Sequence, residues 1–454
     1  MSCKKLRVVR WKKLRIITIA ILFLMAVFVI HGAGMAQVRP RLSVWGRASF
    51  APAQAYWANS FIYEWAAEKG VDVKISWIPV ADVTPKLVTA VVAGTEPDIV
   101  IGGMPYTKFA ELGLLLPLDD VVAKLGKEDI FDIKLQAGII DGKVYAIPSG
   151  WELTWMHVRK DLFEKAGILD ILPFENEKDV LMAAEKLTGI EPGVYGIGLP
   201  LGGTGFDAEW TFALYWYGFG GGFMTEKSSK GVVLGKEPYR SATKRTFAFL
   251  KEIFDKRLTP PDSGEWVDIS NNLAFLHGRV AMTSNPMSIW YAIMTGKPDL
   301  VPKTMVVPDA FPIDLGQESN YIFKSTKHPD LAKDLVYRFF ADKEAYRKGW
   351  SEQSHFYNLP IFKSQMKVIS DAWKEGRYPV MGMDPWEAAM RTKFHEWPVT
   401  YPIGEPTSVW ADFCTGWMAN DMVLKAVVIG ESFDKVIDEY QAKAEQMARE
   451  AYGR

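Results

Sequence analysis

Apolar and polar positions repeat in a regular order over the first hundred residues. Along residues 71–77 every second residue is apolar, which is the spacing of a half-buried strand, whereas the apolar residues of 56–69 follow the spacing of one helix face. The same reasoning predicts strands at 42–45, 71–77 and 99–101 and helices at 56–69 and 83–93, each helix ending at a glycine. Strands that alternate with helices in this way pair in parallel, so the chain begins with an α/β domain.

The stretch 141–160 has the pattern of a chain that leaves one lobe for another. It starts with Asp-Gly, which predicts a tight turn, and a short apolar run then stops at Pro148, which cannot donate to a sheet. A second apolar run covers 153–158. Two strands joined in this way predict a hinge, with Trp151 and Glu152 where the lobes face each other. An ordinary hairpin with a surface tryptophan is the alternative interpretation.

Later segments continue the alternation and become rich in tryptophan towards the C-terminus. Helices are predicted at 160–166, 178–187, 209–217, 243–254, 329–340 and 433–447, and strands at 195–199, 280–282, 304–307 and 321–323. Asn285 and Pro286 begin a further helix that carries Trp290. These elements extend the α/β prediction over the rest of the chain.

The N-terminus has the residue order of a secretory signal peptide. Seven basic residues precede an uncharged run from Ile16 to Ile30, and the small residues Gly34 and Ala36 follow it. We predict that residues 1–36 are a signal peptide cleaved after Ala36, with an uncleaved membrane anchor as the alternative. No cysteine follows the apolar run at the position of a lipid anchor. The mature protein is therefore predicted to be periplasmic or extracellular.

The composition left after cleavage excludes some classes of function. Cleavage removes seven of the 53 basic residues and none of the 54 acidic ones, so the mature chain carries a net charge of −8, and a nucleic-acid partner is not expected. Cys414 is the one cysteine left of two, so no internal disulfide framework supports the fold. The chain also has 17 tryptophans, and exported chains use such rings both in cores and as flat surfaces for ligands.

Six segments of the chain carry a family likeness. In order they are LSVWG, KLVTAVVAGTEPDIV, LGLLLPLDD, DGKVYAIPSGWELTWMHVRKDLFEKAGI, FLHGRVAMTSNPMSIW and KHPDLAKDLVYRFF. By their order and spacing the chain resembles the extracellular solute-binding proteins (family 1) of carbohydrate ABC importers, the group that includes maltose-binding protein. The likeness covers the mature chain, with a departure at residues 156–159, where the tyrosine-asparagine pair of the family's YNKDLF segment is absent.

The resemblance implies a type II periplasmic binding protein fold, in which two α/β lobes, each a mostly parallel sheet flanked by helices, are joined by hinge strands. The expected division is 37–150 with 280–328 for lobe I and 151–279 with 329–454 for lobe II. Crossings are expected at Pro148 to Leu153, near Gly278 to Met282, and after Tyr321 to Phe323. The implied function is that of a monomer which captures a sugar or oligosaccharide by hinge closure and delivers it to the permease subunits of an ABC importer.

A neutral polyhydroxylated ligand needs flat faces for its C–H surfaces and carboxylates or amides for its hydroxyls. In the resemblance, Glu152 matches a glutamate that meets the sugar in maltose-binding proteins, and Trp410, in PTSVWADFCTGW, matches a segment that supplies a stacking aromatic. Arg47 follows the first strand, where a ligand would lie. The predicted ligand-binding residues are Arg47, Trp151, Glu152, Asp207, Trp210, Trp266, Asn285, Trp290 and Trp410. Core packing is the alternative for each tryptophan, and a salt-bridged strand end is the alternative for Arg47 and Glu152.

Other functions stay open. An exported carbohydrate-active enzyme would pair carboxylates such as Asp207 and Glu209, but these lie two residues apart and need not face one pocket. The sequence has no HExxH, GxSxG or histidine cluster, so we predict no catalytic residue, no metal and no cofactor. A polyol phosphate would suit Arg47. A polyamine would require acidic residues in the cleft that the sequence alone does not place.

Overall fold

The computed structural model describes residues 39–104, 106–316, 318–395, 397 and 399–453. The predicted signal peptide, residues 1–36, lies outside the described residues. The strands are β1 (Arg41–Ala48), β2 (Asp72–Pro79), β3 (Ile99–Gly103), β4 (Ile139–Ile140), β5 (Lys143–Val144), β6 (Ile147–Pro148), β7 (Trp155–Arg159), β8 (Tyr195–Gly198), β9 (Val280–Asn285), β10 (Thr304–Pro308), β11 (Ile313–Asp314), β12 (Ser319–Ile322), β13 (Phe394–His395), β14 (Val399–Thr400) and β15 (Glu405–Pro406).

Helices cover the faces of the sheets and connect their strands. They are α1 (Pro52–Lys69), α2 (Val80–Ala93), α3 (Tyr106–Glu111), α4 (Asp119–Leu125), α5 (Asp132–Gly138), α6 (Lys160–Ala166), α7 (Glu177–Leu187), α8 (Phe206–Gly218), α9 (Tyr239–Asp255), α10 (Ser270–Leu276), α11 (Ser288–Gly296), α12 (Pro329–Ala341), α13 (Lys343–Tyr346), α14 (Lys363–Lys374), α15 (Pro385–Arg391), α16 (Ser408–Thr415), α17 (Met418–Val423) and α18 (Phe433–Tyr452). Within the described ranges, no helix is long and apolar enough to cross a membrane.

The first sheet has the strand order β2-β1-β3-β12-β6. Strands β1, β2 and β3 pair in parallel, which confirms the prediction from the alternating pattern, and β12 runs antiparallel to both of its neighbours. Helix α1 ends at Gly70, whose φ of 65° is the left-handed value that glycine adopts without strain. Apolar side chains of β1, α1 and α12, among them Val44, Ile62 and Phe339, share one buried core.

The second sheet has the strand order β10-β7-β9-β8. Strands β8 and β9 are parallel, whereas β7 runs antiparallel to both β9 and β10, so this sheet is mixed rather than mostly parallel. The physical reason is the route of the chain. Strand β7 receives the chain from the first lobe at the end of the sheet where β8 and β9 stop, and it must therefore run in the opposite direction.

Three segments carry the chain between the lobes. Residues 149–154 join β6 to β7, which agrees with the predicted hinge, and the chain returns to the first lobe between β10 and β12. Residues 353–362 form the third crossing, and the first and third are bonded reciprocally, since the amides of Trp151 and Leu359 donate to each other's carbonyl oxygens over 2.7 and 2.9 Å. The segments pack side by side and form one hinge.

The observed sheets differ from the expected division of the chain. Residues 278–282 do not cross between the lobes, because β9 inserts between β7 and β8 and so keeps this part of the chain in the second sheet. Residues 280–308 therefore belong with the second sheet. Helices α12 and α13 follow β12 and bury Leu335 and Tyr346 in the core of the first sheet, so the chain stays in lobe I beyond residue 328.

Candidate ligand-binding cleft

Polar side chains of both lobes meet at the edge where the crossing segments leave the sheets. Strands β1 and β9 end at this edge and α8 begins there, an arrangement that places ligands at the carboxyl ends of strands in open α/β sheets. The cleft is lined by Arg47, Phe50, Val80, Glu152, Phe206, Asp207, Trp210, Asp268, Asn285, Pro286, Ser288 and Tyr357. These side chains leave a cavity of only about 20 Å³, close to the space of a single water molecule. The structure is thus a closed form.

Arg47 is the centre of a buried ion cluster. Its Nη2 atom lies 2.8 Å from Oε1 of Glu318 and 3.3 Å from Oε1 of Glu152. The hydroxyl of Tyr357 donates to the same Glu152 oxygen over 2.8 Å. Strand β1 supplies Arg47, whereas Glu152, Glu318 and Tyr357 come one each from the three crossings. The cluster therefore ties the first lobe to the whole hinge.

The two carboxylates of this cluster share one cation. Burial raises the pKa of Glu318 to about 7, with Arg47 opposing the rise and Glu152 adding to it. Burial also raises the pKa of Tyr357 well above its usual range, and the charge of Glu152 adds to that effect. Since Tyr357 stays protonated, it acts as a hydrogen-bond donor to Glu152.

A second ion cluster lies directly behind the first crossing. Asp314 accepts the backbone N–H of Glu152 over 3.0 Å and forms an ion pair with Lys134, and Nδ1 of His395 lies 2.8 Å from its Oδ2 atom. Burial alone would raise the pKa of Asp314, but Lys134 and His395 lower it well below the usual range. All three side chains are buried. The cluster fixes the backbone from which the Glu152 side chain reaches the cleft.

The second lobe contributes the first turn of α8. The backbone N–H of Asp207 donates to Oδ1 of Asp268 over 3.2 Å, and Nδ2 of Asn285 lies 3.4 Å from Oδ2 of Asp207. Asn285 also donates to Asn272 over 2.7 Å, which orients its amide. Burial raises the pKa of Asp207 well above its usual range, and the charges of Asp268 and Glu152 add to the rise.

Trp210 lies three residues after Asp207 and so on the same face of α8. Its ring lines the cleft and is 4% exposed, yet its indole N–H has no hydrogen-bond partner among the described residues. The same is true of Oε2 of Glu152 and Oε2 of Glu318. Buried polar atoms in this state are costly unless a partner arrives.

Glu209, the other carboxylate of the predicted acid–base pair, lies in different surroundings. It is buried within α8 and is not among the residues that line the cleft. Burial raises its pKa to about 8, and a hydrogen bond with Cys414 opposes the rise. Residues two apart on a helix point in different directions, so Asp207 and Glu209 do not share a pocket.

Five of the nine predicted ligand-binding residues line the cleft, namely Arg47, Glu152, Asp207, Trp210 and Asn285. The structure places the other four tryptophans elsewhere. Trp151 packs edge-on against Phe131, and Trp410 stacks between Trp216 and Phe413 in the core of the second lobe. Trp266 is buried just before Asp268, and Trp290 lines a separate groove beside residues 301–305. Contact of these four with a ligand stays a prediction that their packing does not favour.

Sequence reasoning missed Asp268, Glu318 and Tyr357. Glu318 stands directly before the observed strand β12, which is antiparallel to β3, so the argument from the carboxyl ends of parallel strands that selected Arg47 did not reach it. Asp268 precedes a short helix and had no signal of this kind either. Tyr357 lies in the third crossing, a segment without apolar periodicity, and only the tertiary structure brings it to Glu152.

A family model described as bacterial extracellular solute-binding protein matches residues 61–377. This match spans well over half of the sequence. The chain belongs to the bacterial extracellular solute-binding proteins. The resemblance inferred from the sequence is thereby confirmed.

Other solute-binding proteins resemble this one over most of its length. A binding protein of Brucella abortus is 26% identical over 314 residues, which cover 67% of this chain and 72% of the relative. The ABC transporter solute-binding protein of Thermotoga lettingae, solved with α-D-tagatose, has a TM-score of 0.71 at 20% identity and covers 90% of this chain and 100% of that one. The sugar-binding protein MalE of Xanthomonas citri has a TM-score of 0.68 at 18% identity, with 90% and 98% covered. These structures confirm the predicted fold class.

Proposed function

We propose that this solute-binding protein is the exported substrate-binding subunit of an ABC importer, and that it captures a sugar or another polyhydroxylated solute between its lobes. The observation that carries the proposal is a pair of buried polar atoms without partners at the cleft, the N–H donor of Trp210 and one oxygen of Glu152. A hydroxyl group both donates and accepts, so a polyol satisfies both. The tagatose bound to the Thermotoga lettingae relative supports this ligand class.

Hinge closure is the proposed mechanism of capture. Arg47 and Glu152 approach the ligand from the first lobe and the hinge, whereas Asp207, Trp210 and Asn285 approach it from the second lobe. The ligand gains both sets of contacts only when the lobes meet, so it stabilises the closed form by its differential affinity for that form. The narrow cavity implies that side chains move apart around a bound sugar ring. Permease subunits would then recognise the closed, loaded form.

Export to the periplasm or the extracellular space follows in this proposal from cleavage of residues 1–36. The protein would act as a monomer and without catalysis. The separation of Asp207 from Glu209 supports that view, because it removes the acid–base pair that the sequence offered for the enzyme alternative.

Ligand-dependent melting of the chain 37–454 tests the proposal. The melting temperature is measured with mono- and oligosaccharides, polyols, amino acids, polyamines and phosphate esters, and each compound is assayed by chromatography afterwards. Binding to the folded state alone raises stability by RT ln(1 + [L]/Kd), so a sugar at 100 times its Kd adds about 2.7 kcal/mol. A rise with a sugar that stays intact supports the proposal. Consumption of the sugar would establish an enzyme instead, and a rise with amino acids or phosphate esters alone would remove the carbohydrate function.

A further inference from the structure

The side chains around the cleft carry more negative than positive charge. Three carboxylates line it, those of Glu152, Asp207 and Asp268, and Arg47 is the one cation among the described residues that line it. The guanidinium of Arg47 is shared by Glu152 and Glu318. The remaining two carboxylates, of Asp207 and Asp268, lie on the second-lobe side.

The surroundings of the two aspartates differ. Asp268 accepts a backbone N–H at the start of α8, where the helix macrodipole favours a negative charge. The carboxylate of Asp207 lines the cleft, and its hydrogen-bonding neighbours are the neutral amides of Asn285 and Asn271. Asp207 is 4% exposed, so water does little to stabilise its charge. Hydroxyl groups of a neutral sugar can donate to this carboxylate, but they bring no positive charge to it.

The indole N–H of Trp210 gives an independent sign of a ligand at the same place. The side chain of Trp210 lines the cleft on the face of α8 that carries Asp207, and no described residue accepts the proton of its indole N–H. A ligand that completes this part of the cleft must therefore present an acceptor to Trp210 next to the group that meets Asp207. The aromatic rings of Phe50, Phe206 and Tyr357 line the same cleft and can face a cation.

We propose that the ligand is a polyhydroxylated molecule with a protonated amine, of the amino sugar class, whose ammonium group pairs with Asp207 while a neighbouring hydroxyl accepts the N–H of Trp210. The proposal rests on the proposed function and makes its substrate class specific. An ammonium beside Asp207 balances the charge that burial leaves uncompensated, and the hydroxyls serve Arg47, Glu152 and Trp210 as a neutral sugar would. The amine must be free, since acetylation removes its charge.

Calorimetric titration of the chain 37–454 with matched sugars tests the proposal. Glucose, glucosamine and N-acetylglucosamine form one set, the galactose series forms a second, mannose and mannosamine form a third, and spermidine is the amine without hydroxyls. The free amine is expected to bind at least about tenfold more tightly than the parent sugar and the acetylated form, since a hydrogen bond to a buried charge is worth more than a neutral one.

Two substitutions in α8 test which carboxylate causes the preference for the amine. Asp207→Asn is expected to abolish the preference for the amine, so that the variant binds the amine and the parent sugar with affinities within about threefold of each other. Glu209→Gln changes a buried carboxylate of the same helix that does not line the cleft, and it should keep the full preference. The melting temperature of each unliganded variant checks that it folds.

The outcomes separate this proposal from the proposed function. Equal or weaker binding of the amines than of the parent sugars would overturn the amino sugar inference and leave the sugar receptor in place. Retention of the amine preference in Asp207→Asn would equally overturn the assigned contact. Binding of spermidine without any sugar or amino sugar would overturn both. The absence of binding across this panel would overturn the amino sugar inference alone, because oligosaccharides and polyols are tested by the melting experiment.

Discussion

Asp314 and Asp207 are two buried carboxylates of this protein with opposite electrostatic surroundings. Asp314, behind the hinge, is paired with Lys134 and His395, and these neighbours lower its pKa well below the usual range despite burial. Asp207, at the cleft, has carboxylates as its charged neighbours, and burial raises its pKa. Both side chains are more than nine-tenths buried.

The contrast separates a structural ion cluster from a binding site. A carboxylate whose charge is balanced by fixed side chains holds the fold and needs nothing further. A carboxylate whose charge is unbalanced in the closed form lowers the stability of that form until a proton or a ligand compensates it. Only the second arrangement makes closure depend on a ligand. Glu318 lies between these extremes, because Arg47 serves it and Glu152 together.

Replacement of Lys134 tests whether the ion cluster of Asp314 stabilises the fold, and we expect it to have the largest effect on stability. Lys134→Met keeps the aliphatic stem beside Trp151 but removes the cation that pairs with Asp314. Breaking a buried pair leaves an uncompensated charge, so the free energy of unfolding in urea at pH 7 should fall by about 3–5 kcal/mol.

An exposed lysine provides the matched control for this substitution. Lys165 pairs with Glu191 at 2.9 Å, with side chains 52% and 46% exposed, and Lys165→Met should change stability by less than about 1 kcal/mol. A similar small change for Lys134→Met would mean that Asp314 is not a structural centre, and the contrast with Asp207 would fail.

The fold followed from the sequence more completely than the site did. Periodicity and glycine ends located α1 and the parallel strands β1 to β3, because one buried face is enough to decide such elements. The return of the chain from β10 to β12 could not be predicted in this way, since short apolar strands carry no information on their partners. Trp410 was chosen because its segment matches one that supplies a stacking aromatic in the resembling family, and a tryptophan in a core has the same local pattern as one in a cleft. Tyr357 was missed because its position depends on all three crossings.

The pH dependence of the free energy of unfolding also distinguishes Asp207 from Asp314. We expect this effect to be smaller than that of Lys134→Met. The pKa of Asp207 is higher in the folded than in the unfolded chain, so its favourable contribution is complete at low pH and is lost as the pH rises through the folded value. Asp314 has the opposite sign, and its contribution is complete above a pH of about 4. Between pH 5 and 8 the unliganded protein should therefore lose stability through Asp207, with Glu318, whose pKa is about 7, adding to the loss.

Asp207→Asn should remove part of this slope. Its free energy of unfolding is expected to exceed that of the unsubstituted protein at pH 8, and by less at pH 5, because asparagine has no carboxylate that must ionise in a buried site as the pH rises. Asp170 is exposed and forms no ion pair with the described residues, so Asp170→Asn should keep the original slope. Urea titrations at four pH values would measure the slope of the free energy of unfolding against pH for each variant. An unchanged slope in Asp207→Asn would mean that other groups cause the loss of stability between pH 5 and 8.

Trp210→Phe has the smallest expected effect and tests whether the indole N–H of Trp210 donates a hydrogen bond to the ligand. Phenylalanine keeps an aromatic wall but lacks the N–H that has no protein partner, so stability without ligand should change by less than about 1 kcal/mol. The affinity for the bound sugar should fall about three- to tenfold, the value of one neutral hydrogen bond. Trp57→Phe, in the core of the first lobe, should leave the affinity unchanged. If Trp210→Phe lowered stability as much as affinity, its indole would be a packing element like Trp410, and the cleft would depend on carboxylates alone.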